Sequence, residues 1–198
     1  MAEGVILGHY ISAARIQVDL EKIEVILLLA TPYTQAEVRS FLGYAGYYHR
    51  FISNFSQIFA PLYALHGNVE FHWFDKCDTT FSYLKKLVST APILRGPNWD
   101  LPFHISSNAS NTAIGVVLDQ EEDKNPYDIY YISKNLPPAE LKYTVTEKEF
   151  LAVICAINKF RHYITGYQVF LYTDHFSIRY LSNKPITNGR VTLWLLLL

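Results

Sequence analysis

Three polar residues stand where side chains can do chemistry. Asn108 follows the apolar run at residues 103–107, Asp174 follows Val169–Thr173, and Glu149 falls in the first turn of a helical stretch at 144–164. In a mixed sheet, side chains just past the end of an apolar strand look into a crevice where ligands bind. A group of carboxylates there suits Mg²⁺, a hard ion that takes oxygen ligands and keeps waters for substrate phosphates. Two such ions about 4 Å apart clamp the attacking and leaving oxygens of a phosphoryl displacement. Spacing alone leaves a plainer role open for Glu149, as a helix cap that complements the dipole.

The elements that must position these residues are marked in the sequence. In 144–164, Phe150, Val153, Ile154, Ile157, Phe160 and Ile164 recur at helical spacing, predicting one buried face. Thr144 with Glu147 and Thr146 with Glu149 both have capping-box spacing, and Gly166 is the stop. Residues 103–106, 112–118 and 129–133 alternate as strands joined by short connections, which predicts an antiparallel meander. Val169–Thr173, reached through the helix, can lie parallel to an earlier strand, so the second half reads as a mixed α/β sheet with helices on its faces.

Upstream the pattern is mainly helical. Asp19 opens a helix through Ile23 and Ile26, and Thr34 with Glu37 opens another that leads into the aromatic-rich run 41–59. Asn54 breaks that run, Pro61 fits the start of a short piece at 62–65, and Asp75 caps a helix to about Ser89. The Gly and Pro residues at 96–102 form the linker between halves. Tyr44, Tyr47 and Tyr48 could stack on bases, although packing between helices explains them as well.

Composition narrows the class. Half of the 198 residues are apolar and 18% are charged, as in a globular protein. The net charge of −1 gives no bulk argument for nucleic-acid binding. From Lys134 onward, however, Lys and Arg outnumber Asp and Glu, which could serve phosphates or simply solvate a helix face. Cys77 and Cys155 lack metal-ligand spacing and point to a reduced, intracellular setting, cytoplasmic or nuclear. The seven histidines show no ligand spacing either. No apolar run approaches the about 20 residues of a membrane span. The closing Leu-Trp-Leu-Leu-Leu-Leu has no cap or polar turn, as though the chain were cut from something longer.

The runs SFLGYAGYYHRFISNFSQIFAPL, TAPIL, NASNTAIGVVL, YYISKNLPPAELKYTVTEKEFLAVICAINKFRHYITG and YTDHFSIRYL resemble the Ty3/gypsy-type retrotransposon pol polyprotein, with plant members closest in appearance. GHYISAARIQVDLEKIE is similar to the end of that polymerase's palm. The resemblance implies a palm and thumb-entry remnant at 1–30 and a helical thumb/connection segment at 31–95. At 100–198 it implies an RNase H-like domain of α/β (α+β) class, incomplete at its C-terminus. In the family that domain is a Mg²⁺-dependent endonuclease, cutting the RNA strand of RNA–DNA hybrids with two metal ions. By resemblance Glu149 and Asp174 are metal ligands, and Asn108 holds the place of the family's first Asp. An Asn offers one neutral carbonyl oxygen and an NH₂ that points a donor at a cation. Losing one charged ligand costs on the order of several kcal/mol of metal and transition-state stabilisation, which predicts an impaired site. No Tyr-x-Asp-Asp polymerase motif is present, and the family's fourth acidic ligand lies beyond Leu198. The expected partners are an RNA–DNA hybrid and the rest of the pol polyprotein, without a membrane. A non-catalytic nucleic-acid-binding or scaffold module and a decayed transposon fragment are the alternative readings.

Overall fold

The computed structural model describes residues 3–6, 9–12, 15–65 and 70–173. Backbone contacts divide the chain into two units, Met1–Gly96 and Pro97–Leu198.

The first unit opens with β1 (Gly4–Ile6), β2 (His9–Ile11) and β3 (Ile16–Val18), a small antiparallel sheet in that order. The helices α1 (Leu20–Leu28), α2 (Gln35–Tyr47), α3 (Phe55–Tyr63) and α4 (Asp75–Ser89) follow. The starts of α1 and α2 are chemically marked. Asp19 accepts from the Glu21 amide at the head of α1, and Thr34 and Glu37 form a complete reciprocal box on α2. Asn54, at φ 56°, separates α2 and its short 3-10 extension from α3. Asn is among the few residues that take this left-handed conformation at small cost. Aromatic packing fills the interior, with Phe41 against Phe81 at 4.5 Å and Phe55 against Phe59 at 4.2 Å. The Lys85 ammonium donates to the Leu27 carbonyl at 2.8 Å and to Leu29, placing a cation at the negative end of α1.

Two expectations fail here. Pro61 is the seventh of the nine residues of α3 and does not open a new helix; α3 runs through it without the backbone donor that Pro lacks. Asp75 is the first residue of α4, whose N-cap Phe74 has no side-chain bond.

In the second unit β4 (Phe103–Ala109), β5 (Ala113–Glu122) and β6 (Asn125–Asn135) form the antiparallel meander. The short α5 (Pro138–Leu141), the long α6 (Val145–Ile164) and β7 (Val169–Thr173) complete it. β7 pairs parallel with β4, so the sheet runs β6-β5-β4-β7. The crossover through α6 allows this, because a parallel neighbour needs a long connection. Strands run longer than alternation indicated: the turn between β5 and β6 is only Asp123-Lys124, both at positive φ, as in a tight two-residue hairpin.

The sheet packs on α6 through Leu151, Ala152, Ala156 and Phe160, opposite Phe103, Ile105, Val116 and Leu118. The predicted stripe is buried at Phe150, Val153, Ile154 and Phe160, and Phe160 lies in the cluster against the sheet, which Leu151, Ala152 and Ala156, outside the predicted stripe, complete. Gln120, fully buried, has both ends satisfied by Asn98, Leu101 and Tyr127, and so ties 98–101 to β5.

Candidate functional site

The N-terminus of α6 begins with a capping box. Thr144 Oγ1 accepts from the Glu147 amide at 3.3 Å, and the Glu147 carboxylate accepts from the Thr144 amide at 2.9 Å. The second predicted box, Thr146 with Glu149, does not form. Glu149 is one helical turn inside and lies three residues before Ala152, which places it on the sheet-facing side. It is only 3% exposed, and its Oε1 accepts from the Ala109 amide at 2.9 Å. A carboxylate buried so deeply must be compensated by hydrogen bonds.

Asn108 precedes that amide. It is exposed, near the end of β4, opposite Gly115 of β5. The structure therefore brings Glu149 to the residue after Asn108. On the other side of β4, Thr173 of β7 stands in register with Ser107. Asp174 follows Thr173 in sequence, and it and His175 lie outside the described residues.

Two polar residues missed in the sequence complete the surroundings. Lys148, 6% exposed, donates from Nζ to the Asn111 carbonyl at 2.9 Å in the β4–β5 connection. Ser107 is buried with its Oγ unmatched among the described residues. Alternation in β4 could have indicated that Ser107 faces inward with Phe103 and Ile105. Nothing in the sequence marks Lys148 as buried.

The described donors do not fit a two-metal centre. They comprise one carboxylate, with an oxygen committed to a backbone amide, and one neutral side-chain amide. Among the described residues no three His, Cys, Asp or Glu side chains are grouped to hold a metal ion.

A second polar group lies across the sheet. His104, Asp119 and Asp128 are successive partners on β4, β5 and β6. His104 Nδ1 is 3.3 Å from Asp119 Oδ1, and the Tyr131 hydroxyl donates to Asp128 at 2.5 Å. Burial raises the Asp119 carboxyl above its ordinary value, against the opposing charge of His104, and the Asp128 and Glu121 charges add to the rise. The Tyr131 phenol is likewise pushed up, first by burial and then by Asp128. Burial raises both cysteine thiols as well, which leaves neither activated as a nucleophile.

In the first unit a groove of about 600 Å³ is lined by Lys22, Val25, Arg39, Gly43, Tyr44 and Tyr47. Tyr44 and Tyr47 are 49% and 43% exposed, whereas neighbouring Tyr48 is core. The aromatic run thus divides between packing and surface.

Known proteins share this architecture. A foamy viral protease-reverse transcriptase solved with double-stranded DNA matches the whole chain at TM-score 0.84 and 24% identity, over 43% of its own length. The same enzyme solved with an RNA/DNA hybrid matches 98% of this chain at TM-score 0.82 and 24% identity, over 27% of its length. At such identity the likeness establishes the fold, which is RNase H-like with a preceding helical region. Residues 73–171, half of the chain, match the RNase H-like domain found in reverse transcriptase, and the chain belongs to that family. The Pol polyproteins of the Drosophila melanogaster transposons 297 and opus are 34% and 31% identical over 95% of this chain. A Tf2 transposon polyprotein of Schizosaccharomyces pombe is 30% identical over 97%. These relatives bear out the Ty3/gypsy-type resemblance and give no support to a plant-type subgroup. The chain spans 15–20% of their length.

Proposed function

We propose that the chain is an RNase H-like, hybrid-binding module whose hydrolytic site is impaired, acting within a larger Pol polyprotein. Residues 1–30 then correspond to the polymerase palm and thumb entry, 31–95 to the thumb/connection, and 100–198 to the RNase H-like domain. The observation that carries the reading is the pairing of a buried Glu149 with the backbone of the strand end where Asn108 stands. This arrangement keeps the framework of a carboxylate site while offering an amide at its first position. In an unimpaired set, carboxylates at positions 108, 149 and 174 would hold two Mg²⁺ ions for in-line hydrolysis of the RNA strand. Binding does not need that set. The groove edged by Lys22 and Arg39, with Tyr44 and Tyr47 exposed, offers cations and ring faces to a duplex.

The test is fluorescence anisotropy of the full chain with a labelled RNA–DNA duplex, followed by incubation with Mg²⁺. Salt-sensitive binding without cleavage is expected, with weak cleavage gained on Asn108→Asp. Absence of binding at low salt would overturn the proposal.

A further inference from the structure

We propose that Lys148 is a positioning residue, which together with Glu149 fixes the end of the β4–β5 hairpin that carries Asn108. This deepens, and rests on, the reading of that strand end as the hydrolytic site. Lysine is almost never buried unless it is paired, because an ammonium loses its hydration. Here Lys148 is as deeply buried as many core residues, and the acceptor for its Nζ is the Asn111 carbonyl. Asn111 lies at the tip of the connection, between Ser110 and Thr112. The Ser110 amide closes the turn on the Ala113 carbonyl at 2.8 Å, and Ser110 Oγ accepts from the Ala113 amide at 3.0 Å.

Geometry explains why two adjacent residues are used. Consecutive side chains on a helix point about 100° apart. Lys148 and Glu149 therefore hold the hairpin end from different directions, one by the Asn111 carbonyl and the other by the Ala109 amide. A single attachment leaves the tip free to pivot about it, whereas two set its angle against α6. The backbone of Asn108, one residue from the Glu149 attachment, takes its position from both.

The experiment compares the full chain with Lys148→Met and Lys148→Arg by residue-resolved amide hydrogen exchange and by urea unfolding. Met keeps the apolar stem and removes the donor, while Arg restores a donor. The proposal expects the Asn111, Thr112 and Ala113 amides to exchange about tenfold faster or more in the Met variant, the effect of losing one charge-assisted hydrogen bond. Exchange at Ile105 and Val116 should follow only global stability, and Arg should return the turn towards its original rate. Unchanged turn exchange, or acceleration equal throughout β4 and β5, would overturn it.

A second arm separates this inference from the functional reading on which it rests. Mn²⁺ titration of Asn108→Asp, followed by line broadening, should weaken about tenfold when Lys148→Met is added, as for residues that orient ligands, and recover with Arg. No Mn²⁺ binding by Asn108→Asp would count against the hydrolytic-site reading, and the exchange data would still decide the role of Lys148.

Discussion

Glu149 and Asn108 differ in both burial and charge: the first is a buried carboxylate and the second an exposed neutral amide. Glu149 is buried and bonded to the Ala109 amide, so its carboxylate holds structure whatever else it does. Replacement by Ala should cost about 1.5–3 kcal/mol in urea unfolding, the worth of a hydrogen bond to a charged group, and Gln should cost less because it keeps an acceptor. An Ala variant as stable as the parent would show that the attachment contributes nothing. Asp119 gives a second prediction at this scale. Its folded value is raised, so the folded state binds the proton more tightly than the unfolded chain does. Its contribution must therefore grow as pH falls from that raised value towards the ordinary carboxylate value of about 3.9. The stability of the parent minus that of Asp119→Asn should rise through this window. A fall would mean that the His104 charge outweighs burial.

Among the elements, α6 shows what a sequence can and cannot disclose. Its start was legible because Thr144 and Glu147 satisfy each other's backbone donors, which is a local matter. Its sheet-facing side was legible only in part: Phe160 belongs to the predicted stripe, whereas Ala152 and Ala156 do their work by being small, and hydrophobic periodicity weights large residues instead. Widening the contact tests this: Ala156→Leu should destabilise the chain by about 1–3 kcal/mol through overpacking, read as a lower urea midpoint at constant slope. An unchanged midpoint would put the helix–sheet contact elsewhere. The meander and the parallel return of β7 could be anticipated from alternation and from the length of the crossover. The attachments of Lys148 and Glu149 could not, since each joins residues about forty apart in sequence through backbone atoms that carry no residue identity. Asn108 was readable as a departure only through the resemblance to the Ty3/gypsy-type polyproteins. Asp174, read in the same way, lies outside the described residues.

At the scale of the whole chain, the two units carry different parts of the proposed function. Lys22 and Arg39 edge the groove of the first unit, and phosphate contacts release counterions on binding. Replacing both by Gln should weaken binding of an RNA–DNA duplex and reduce the slope of log affinity against log salt by about 1 for each lost contact. An unchanged slope would exclude this groove from the contact surface. The second unit contributes the strand end with its single described carboxylate, where recognition without hydrolysis is expected. The most direct measurement is Mg²⁺-dependent cleavage of an RNA strand labelled within an RNA–DNA duplex, using the unmodified chain at concentrations where the duplex is bound. Intact RNA is expected. Robust cleavage that requires Mg²⁺ and is lost on Glu149→Gln would contradict it, because Asn108 would then serve in a working metal site.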